Sequence, residues 1–171
     1  MKELILGGAR SGKSGLAERR ARESGLRVIF VATGAPGDAE MAERIRRHQA
    51  NRPADWELAE EPLALAAALR AHAAPDRCLL IDCLTLWLSN LLHADDTQRF
   101  ARERQALLDT LPASPGHVIL VSNEVGLGVV PMGELTRRFC DEAGRLHQDL
   151  AKLCDRVTLV AAGLPLVLKS N

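Results

Sequence analysis

The amino-acid sequence predicts an α/β fold in which a mostly parallel sheet is flanked by helices. Short apolar runs alternate with longer stretches of helical period, as strands and crossover helices do. The apolar runs are nearly continuous, which is typical of strands covered on both faces. The chain has 171 residues, enough for one substantial core, and no linker interrupts it. We therefore predict a single domain over residues 1–171.

The elements follow in order from these patterns. Apolar runs predict strands at residues 3–6, 27–32, 78–82, 118–122 and 157–161. Helical periodicity predicts helices at residues 13–23, 39–50, 62–72, 84–92, 97–111 and 133–153. The final segment, VTLVAAGLPLVLKS, has a turn signal at Gly163-Leu164-Pro165 between two apolar runs. It predicts an antiparallel strand at the C-terminal edge of the sheet.

Composition and charge exclude several classes of protein. The 22 basic and 22 acidic residues balance, which argues against a nucleic-acid-binding protein. No apolar run approaches the roughly 20 residues of a membrane span, and the N-terminus lacks a signal-peptide pattern, so we expect a cytoplasmic protein. The four cysteines form no CxxC pair, and we expect reduced, mostly buried thiols. The first 52 residues hold 11 basic and 6 acidic residues, which suits a small polyanion.

The strongest motif is GGARSGKS, which fits G-x-x-x-x-G-K-[ST] between a predicted strand and a predicted helix. This context is that of a phosphate-binding P-loop, and a chance match in a glycine-rich turn is the weaker alternative. Its backbone N–H groups and the helix N-terminus would surround the phosphates. Lys13 would contact the β- and γ-phosphates, and the Ser14 hydroxyl would bind Mg²⁺. The eight residues of the loop are Gly7, Gly8, Ala9, Arg10, Ser11, Gly12, Lys13 and Ser14.

Further candidates follow the other strands, where ligand sites of parallel sheets gather. Asp82 ends the run RCLLID and is a candidate for the Mg²⁺ shell, although an Asp before a predicted helix is also a common N-cap. Thr33 and Gly34 follow the second strand, where nucleotide contact and a plain turn are equally supported. The segment SNEVGLGVVP carries Glu124 and two glycines, and a functional loop and an ordinary one are equally supported there. The histidines at positions 72, 93, 117 and 147 have no such constellation.

The stretch MAERIRRHQANRP places His48 among four arginines on a predicted helix. Neighbouring cations disfavour protonation of an imidazole, so His48 should stay neutral and nucleophilic. It lies in line with Met41 and Ile45 on the apolar stripe of that helix. From these residues alone, an ordinary helix-face histidine is the simpler interpretation.

Three blocks together resemble one family. They are the GGARSGKS loop, ERIRRHQANRPADWELAEEP, and VSNEVGLGVVP with the helix that follows it. From Leu4 to about Lys169 the chain resembles the bifunctional adenosylcobinamide kinase / adenosylcobinamide-phosphate guanylyltransferase of cobalamin biosynthesis. The resemblance implies a single P-loop NTPase (RecA-like) domain, Mg²⁺, GTP and ATP as substrates, and a homo-oligomer, a trimer in relatives.

The resemblance also implies residue roles. His48 would be the residue that becomes guanylylated, and Lys13 would serve both reactions. Further nucleotide contacts would come from Ala32, Thr33, Gly34, Gln49, Ala50, Asn51, Arg52, Glu60 and Asp82. No base for the kinase step stands out, and Glu60, Asp82 and Glu124 are candidates. A single-function small-metabolite kinase and a nucleotide-switch ATPase are the alternatives that share the P-loop.

Overall fold

The computed structural model describes residues 1–34, 53, 55–94 and 96–170, which build a seven-stranded sheet. The strands are β1 Lys2–Gly7, β2 Arg27–Ala32, β3 Glu57–Glu60, β4 Arg77–Asp82, β5 His117–Asn123, β6 Arg156–Ala161 and β7 Leu164–Ser170. Their order is β3-β2-β4-β5-β1-β6-β7. All neighbours are parallel except β6 and β7. The predicted α/β fold with an antiparallel C-terminal edge strand is confirmed.

Five helices lie in the described part of the chain. They are α1 Lys13–Glu23, α2 Leu65–His72, α3 Leu84–His93, α4 Thr97–Thr110 and α5 Glu134–Leu153. The helix predicted over residues 39–50 lies outside the described residues. Helix α2 begins three residues later than predicted because the Glu61 carboxylate accepts the N–H groups of Leu63 and Ala64, at 2.9 and 2.7 Å, and holds a turn there. Among the described residues, no helix has the length and apolar character of a membrane span.

The sheet carries a core on each face. Leu4 and Leu6 of β1 pack with helices α2 to α5, whereas Ile5 between them packs with α1 on the opposite face. This alternation with burial on both sides explains why the strands read as continuous apolar runs. All four cysteines are free, and three are buried, as predicted.

The structure corrects two predictions from the sequence. Strand β3, with the sequence ELAE, was missed because it has no apolar run; it exists because it pairs with β2 at the sheet edge. The last turn lies at Ala162 and Gly163, both with positive φ, so Leu164 and Pro165 belong to β7 and not to the turn. Two central residues with positive φ match the twist of a tight hairpin.

The parallel strands bring their C-terminal ends to one edge. Gly7 of β1 aligns with Asn123 of β5, and Ala32 of β2 aligns with both Asp82 of β4 and Glu60 of β3. Strand β5 lies between β1, which leads into the glycine-rich loop, and β4, which ends in Asp82. Most of the predicted site residues that the structure describes therefore lie along this edge.

Candidate nucleotide-binding site

The loop between β1 and α1 has the backbone that its glycines predict. Arg10 and Gly12 have positive φ angles of 55° and 94°. The Ser11 N–H donates to the Gly8 carbonyl at 3.2 Å, and helix α1 begins with the Leu16 N–H bonded to the Gly12 carbonyl. The loop thus turns back on itself directly before a helix N-terminus, where N–H groups and the helix dipole favour an anion.

Two adjacent glycines serve different purposes in this loop. A Cβ at Gly7 would lie 2.4 Å from Ser11 Oγ and 2.6 Å from the Val160 carbonyl oxygen, so close packing requires glycine there. A Cβ at Gly8 would meet nothing within 4 Å. The space over Gly8 is therefore open, as the cradle of a phosphate must be. Ser11 Oγ is buried and makes no hydrogen bond within the described part of the chain.

Lys13 and Ser14 open helix α1 beside this space. Lys13 is buried, and its ammonium group reaches back over the loop to donate to the Gly8 carbonyl at 3.2 Å. Ser14 is half-buried one residue later. A phosphate bound over the loop would give the Lys13 ammonium a stronger, charged acceptor than the carbonyl.

The β6–β7 turn supports the loop from the side. The Gly163 N–H donates to the Ser11 carbonyl at 2.8 Å. A Cβ at Gly12 would lie 3.2 Å from the Gly163 Cα, so the two backbones touch. The C-terminal antiparallel hairpin therefore fixes the loop in place.

The end of β5 supports the loop from the other side. The Glu124 N–H donates to the Gly7 carbonyl at 3.0 Å, which fixes the Glu124 backbone beside the start of the loop. One Glu124 carboxylate oxygen, Oε1, accepts the Gly126 N–H at 2.5 Å. The preceding Asn123 donates to the Thr85 hydroxyl at 2.9 Å and so connects β5 to the start of α3. Of the three base candidates, Glu124 has this direct backbone link to the loop.

Asp82 ends β4, two strands from β1 and thus roughly 10 Å from it. The alternative N-cap role does not apply, because the N-cap position of α3 is Cys83, whose side chain makes no capping hydrogen bond. Within the described residues no group of three or more His, Cys, Asp or Glu side chains could hold a metal ion. The Ser14 hydroxyl and the Asp82 carboxylate are oxygen donors of the kind that Mg²⁺ takes alongside phosphates and water, and their binding of Mg²⁺ stays a prediction.

Thr33 is fully buried, and its side chain joins two strand ends. Its hydroxyl donates to the Cys83 carbonyl at 2.7 Å and accepts the Cys83 N–H at 2.8 Å. Its own carbonyl accepts from the Asn90 side chain at 2.8 Å. These contacts fix the neighbouring Ala32 and Gly34 at the edge of the site.

Not every predicted residue lies next to the loop. Glu60 ends β3, four strands from β1 and thus roughly 19 Å away, out of contact with phosphates held over Gly8. Contact of Glu60 with another part of a nucleotide stays a prediction. The remaining predicted residues, His48, Gln49, Ala50, Asn51 and Arg52, lie outside the described residues.

The predictions from the sequence missed a buried polar pair behind this edge. Ser122 of β5 and His147 of α5 are buried, and Ser122 Oγ lies 2.7 Å from His147 Nε2. Burial lowers the pKa of His147, and the negative charge of Glu124 opposes this shift. The available signal was that His147 shares an apolar stripe with Ala143, Leu146 and Leu150.

With this geometry established, comparisons with known proteins identify the family. A model of the cobinamide kinase / cobinamide phosphate guanyltransferase family matches residues 3–168. The chain belongs to this family. It is 64% identical over 171 residues to the bifunctional adenosylcobalamin biosynthesis protein CobP of Pseudomonas aeruginosa, covering 100% of this chain and 99% of CobP. It is 40% identical to the corresponding protein CobU of Salmonella typhimurium, covering 97% and 98% of the two chains.

A solved structure supports the fold independently. The RadB recombinase superposes with a TM-score of 0.51 at 16% identity, covering 92% of this chain and 73% of that one. At this identity the likeness concerns the fold alone. It confirms the predicted RecA-like P-loop NTPase fold, and the family match confirms the resemblance drawn from the three sequence blocks.

Proposed function

We propose that this chain catalyses two successive reactions, phosphorylation of adenosylcobinamide and transfer of GMP to the adenosylcobinamide phosphate so formed. One observation carries the proposal: a family match over residues 3–168 coincides with a loop that has an open cradle over Gly8 and the Lys13 ammonium beside it. Both reactions start from a nucleoside triphosphate, and this loop is built to hold one.

The loop and its surroundings would hold the triphosphate for both reactions. Backbone N–H groups of residues 8–14 surround the phosphates, and Lys13 offsets the charge that develops on the phosphoryl oxygens. Ser14 and Asp82 would hold Mg²⁺, which would neutralise part of the charge of the phosphates. Ala32 and Gly34 lie along the same edge and would contact the remainder of the nucleotide.

In the kinase reaction, the hydroxyl of the aminopropanol arm of adenosylcobinamide attacks the γ-phosphorus of ATP or GTP. The bond from the γ-phosphorus to the bridging oxygen breaks, and a nucleoside diphosphate leaves. We assign the acceptor of the hydroxyl proton to Glu124, because its backbone is bonded to Gly7 and its side chain is partly exposed at this edge. Alignment of the reacting groups supplies much of the rate.

In the guanylyl reaction, His48 attacks the α-phosphorus of GTP, pyrophosphate leaves, and a phosphoramidate to GMP forms. The phosphate of adenosylcobinamide phosphate then attacks that phosphorus, the P–N bond breaks, and adenosylcobinamide-GDP is released with free His48. A neutral imidazole attacks well and leaves well once it is protonated, so it divides one difficult displacement into two easier ones.

Covalent labelling tests this assignment. With α-³²P-labelled GTP, the protein should take up about one acid-labile, hydroxylamine-sensitive label per chain, and His48→Ala should take up none. His93→Ala, at an exposed position, is the matched control and should label normally.

Lys13→Ala should lose both labelling and cobinamide phosphorylation. Phosphorylation without any label in the wild type would support a single-function kinase, and hydrolysis that ignores corrinoids would support a nucleotide switch.

We also propose that the protein forms a homo-oligomer, specifically a trimer, and that it is cytoplasmic. Edge strand β7 supports self-association, because Leu164, Leu166, Val167 and Leu168 are each more than half exposed. Light scattering should give three times the 18.6 kDa chain mass. A monomer at micromolar concentration would contradict this part of the proposal.

A further inference from the structure

The buried pair behind the site points toward Glu124. His147 lies on α5 with its side chain 8% exposed, its Nε2 is 2.7 Å from Ser122 Oγ, and its Nδ1 is 3.9 Å from Glu124 Oε2. The imidazole therefore lies between a buried hydroxyl on β5 and the carboxylate at the end of the same strand. The last distance exceeds a hydrogen bond by about 1 Å, which a side-chain rotation can close.

The surroundings select one tautomer of this ring. Burial lowers the pKa of His147, so the ring is neutral at neutral pH and carries a single N–H. If Nε2 carried the proton, the lone pair of Nδ1 would face the Glu124 carboxylate, which is repulsive. If Nδ1 carries it, the ring donates toward Glu124 while Nε2 accepts from the Ser122 hydroxyl, and both contacts are favourable.

We propose that His147 is a positioning residue for the kinase reaction, whose Nδ1–H orients the Glu124 carboxylate beside the start of the glycine-rich loop while the Ser122 hydroxyl fixes the tautomer. The proposal rests on the proposed function, since it takes Glu124 as the base. Oε1 of Glu124 already accepts from Gly126, so a second donor at Oε2 fixes the orientation of the carboxylate. A donor N–H also favours the ionised carboxylate, which is the form that accepts a proton.

Other charged side chains lie at the same sheet edge as Glu124 and on the helices α4 and α5. Lys13 and Asp82 lie at the same sheet edge as Glu124, and Arg104 of α4 pairs with Asp149 of α5 at 2.5 Å. Arg138 of α5 lies over the Phe100 ring, 5.9 Å from its centre. Among the described groups, Glu124 is the charged group that acts on His147.

Two substitutions at His147 separate positioning from packing. His147→Asn keeps an amide N–H close to the place of Nδ1, whereas His147→Gln carries its amide out to the place of Nε2, next to Ser122. Purified full-length variants would be assayed for cobinamide phosphorylation between pH 5 and 9. We expect His147→Gln to lower kcat near neutral pH on the order of tenfold, to move the acidic limb of the pH profile of kcat up by about one pH unit, and to leave the KM for the nucleotide unchanged. His147→Asn should lose less kcat and should keep the acidic limb near its wild-type position.

Ser122→Ala provides a second measurement that does not depend on the folding of the His147 variants. It removes the hydroxyl that fixes the tautomer and should move the acidic limb in the same direction as Gln. Labelling by α-³²P-labelled GTP is the internal control, because the guanylyl reaction has no hydroxyl to deprotonate. It should be unaffected in all three variants.

The outcomes separate this proposal from the one it rests on. Glu124→Gln should reduce phosphorylation by about 10²-fold or more, and normal phosphorylation in that variant would overturn both the base assignment and this inference. If Glu124→Gln is impaired but the Asn and Gln variants at position 147 share the wild-type profile, His147 has no positioning role and the base assignment stands. Equal impairment of Asn and Gln with an unmoved acidic limb would show packing alone and would also overturn the inference.

Discussion

Among single residues, Thr33 contributes to the site by holding two strand ends together. Its hydroxyl both donates to and accepts from the backbone of Cys83 and so ties the end of β2 to the end of β4. The Cys83 carbonyl also accepts a hydrogen bond from the Trp87 N–H. Among the described residues, the Cys83 N–H donates to the Thr33 hydroxyl. The hydroxyl therefore satisfies a buried donor next to Asp82.

Thr33→Val should destabilise the protein, because it keeps the shape of the side chain but leaves the buried Cys83 N–H without its acceptor. The expected loss in the free energy of unfolding is about 1–3 kcal/mol, measured by urea denaturation. Thr33→Ser retains the hydroxyl and is the matched control, with a smaller loss from the missing methyl group. Equal stability of Val and wild type would mean that the Cys83 N–H finds another acceptor.

At the scale of elements, the glycine-rich loop depends on strands that are distant in sequence. Glu124 after β5 bonds to Gly7, and Gly163 in the β6–β7 turn bonds to Ser11. The loop is therefore held from both sides by hydrogen bonds of the protein's own backbone. A preformed loop binds with less loss of conformational entropy than one that must order itself.

The two glycines at the start of the loop should respond differently to substitution by alanine. Gly7→Ala forces a Cβ to within 2.6 Å of the Val160 carbonyl oxygen, a backbone atom, and should cost about 1–3 kcal/mol of stability. Gly8→Ala meets no atom within 4 Å and should fold with stability within about 0.5 kcal/mol of wild type. It should nonetheless bind a fluorescent GTP analogue about tenfold more weakly or worse, because its methyl group enters the phosphate space. A stable Gly8→Ala with wild-type affinity would place the phosphates elsewhere.

The elements also show what sequence patterns can and cannot predict. The apolar runs predicted six of the strands because burial on both faces leaves a continuous signal, and GGARSGKS predicted the loop because its chemistry is local. Strand β3 was missed because its sequence, ELAE, becomes a strand only by pairing with β2. The Ser122 and His147 pair was missed because 25 residues separate them and only the packing of α5 on the sheet brings them together.

Over the whole molecule, the edge of the sheet at which the parallel strands end and the edge at which they begin carry different chemistry. The edge at the C-terminal ends of the parallel strands holds the glycine-rich loop, Asp82 and Glu124. The opposite edge holds a fully buried Glu3, which is paired with Arg20 and lies 3.9 Å from His117 Nε2. These residues line a cleft of about 480 Å³. Burial, followed by the positive charge of the N-terminus, Lys2, Arg156 and Arg20, lowers the pKa of His117 from 6.5 to about 4.

This depressed pKa makes the stability of the whole molecule depend on pH. The folded state keeps His117 neutral. Well above pH 6.5 the histidine of the unfolded chain is neutral too, so the stability of the protein does not depend on the titration of His117 there. As the pH falls from 6.5 toward 4, the unfolded state gains a proton that the folded state does not, and stability is lost. Between pH 7.5 and 5 the loss from His117 is about 2 kcal/mol. Buried His147 adds to it in the same direction.

His117→Gln should therefore flatten the pH dependence of unfolding, since glutamine is polar, of similar size and does not titrate in this range. Urea denaturation at pH 7.5 and pH 5 should show a drop for the wild type that exceeds the drop for His117→Gln by about 2 kcal/mol. His93→Gln, at an exposed position, should keep the wild-type drop. The same drop in all three proteins would mean that His117 takes up its proton equally well in the folded state, in which case the buried charges around Glu3 must rearrange to accept it.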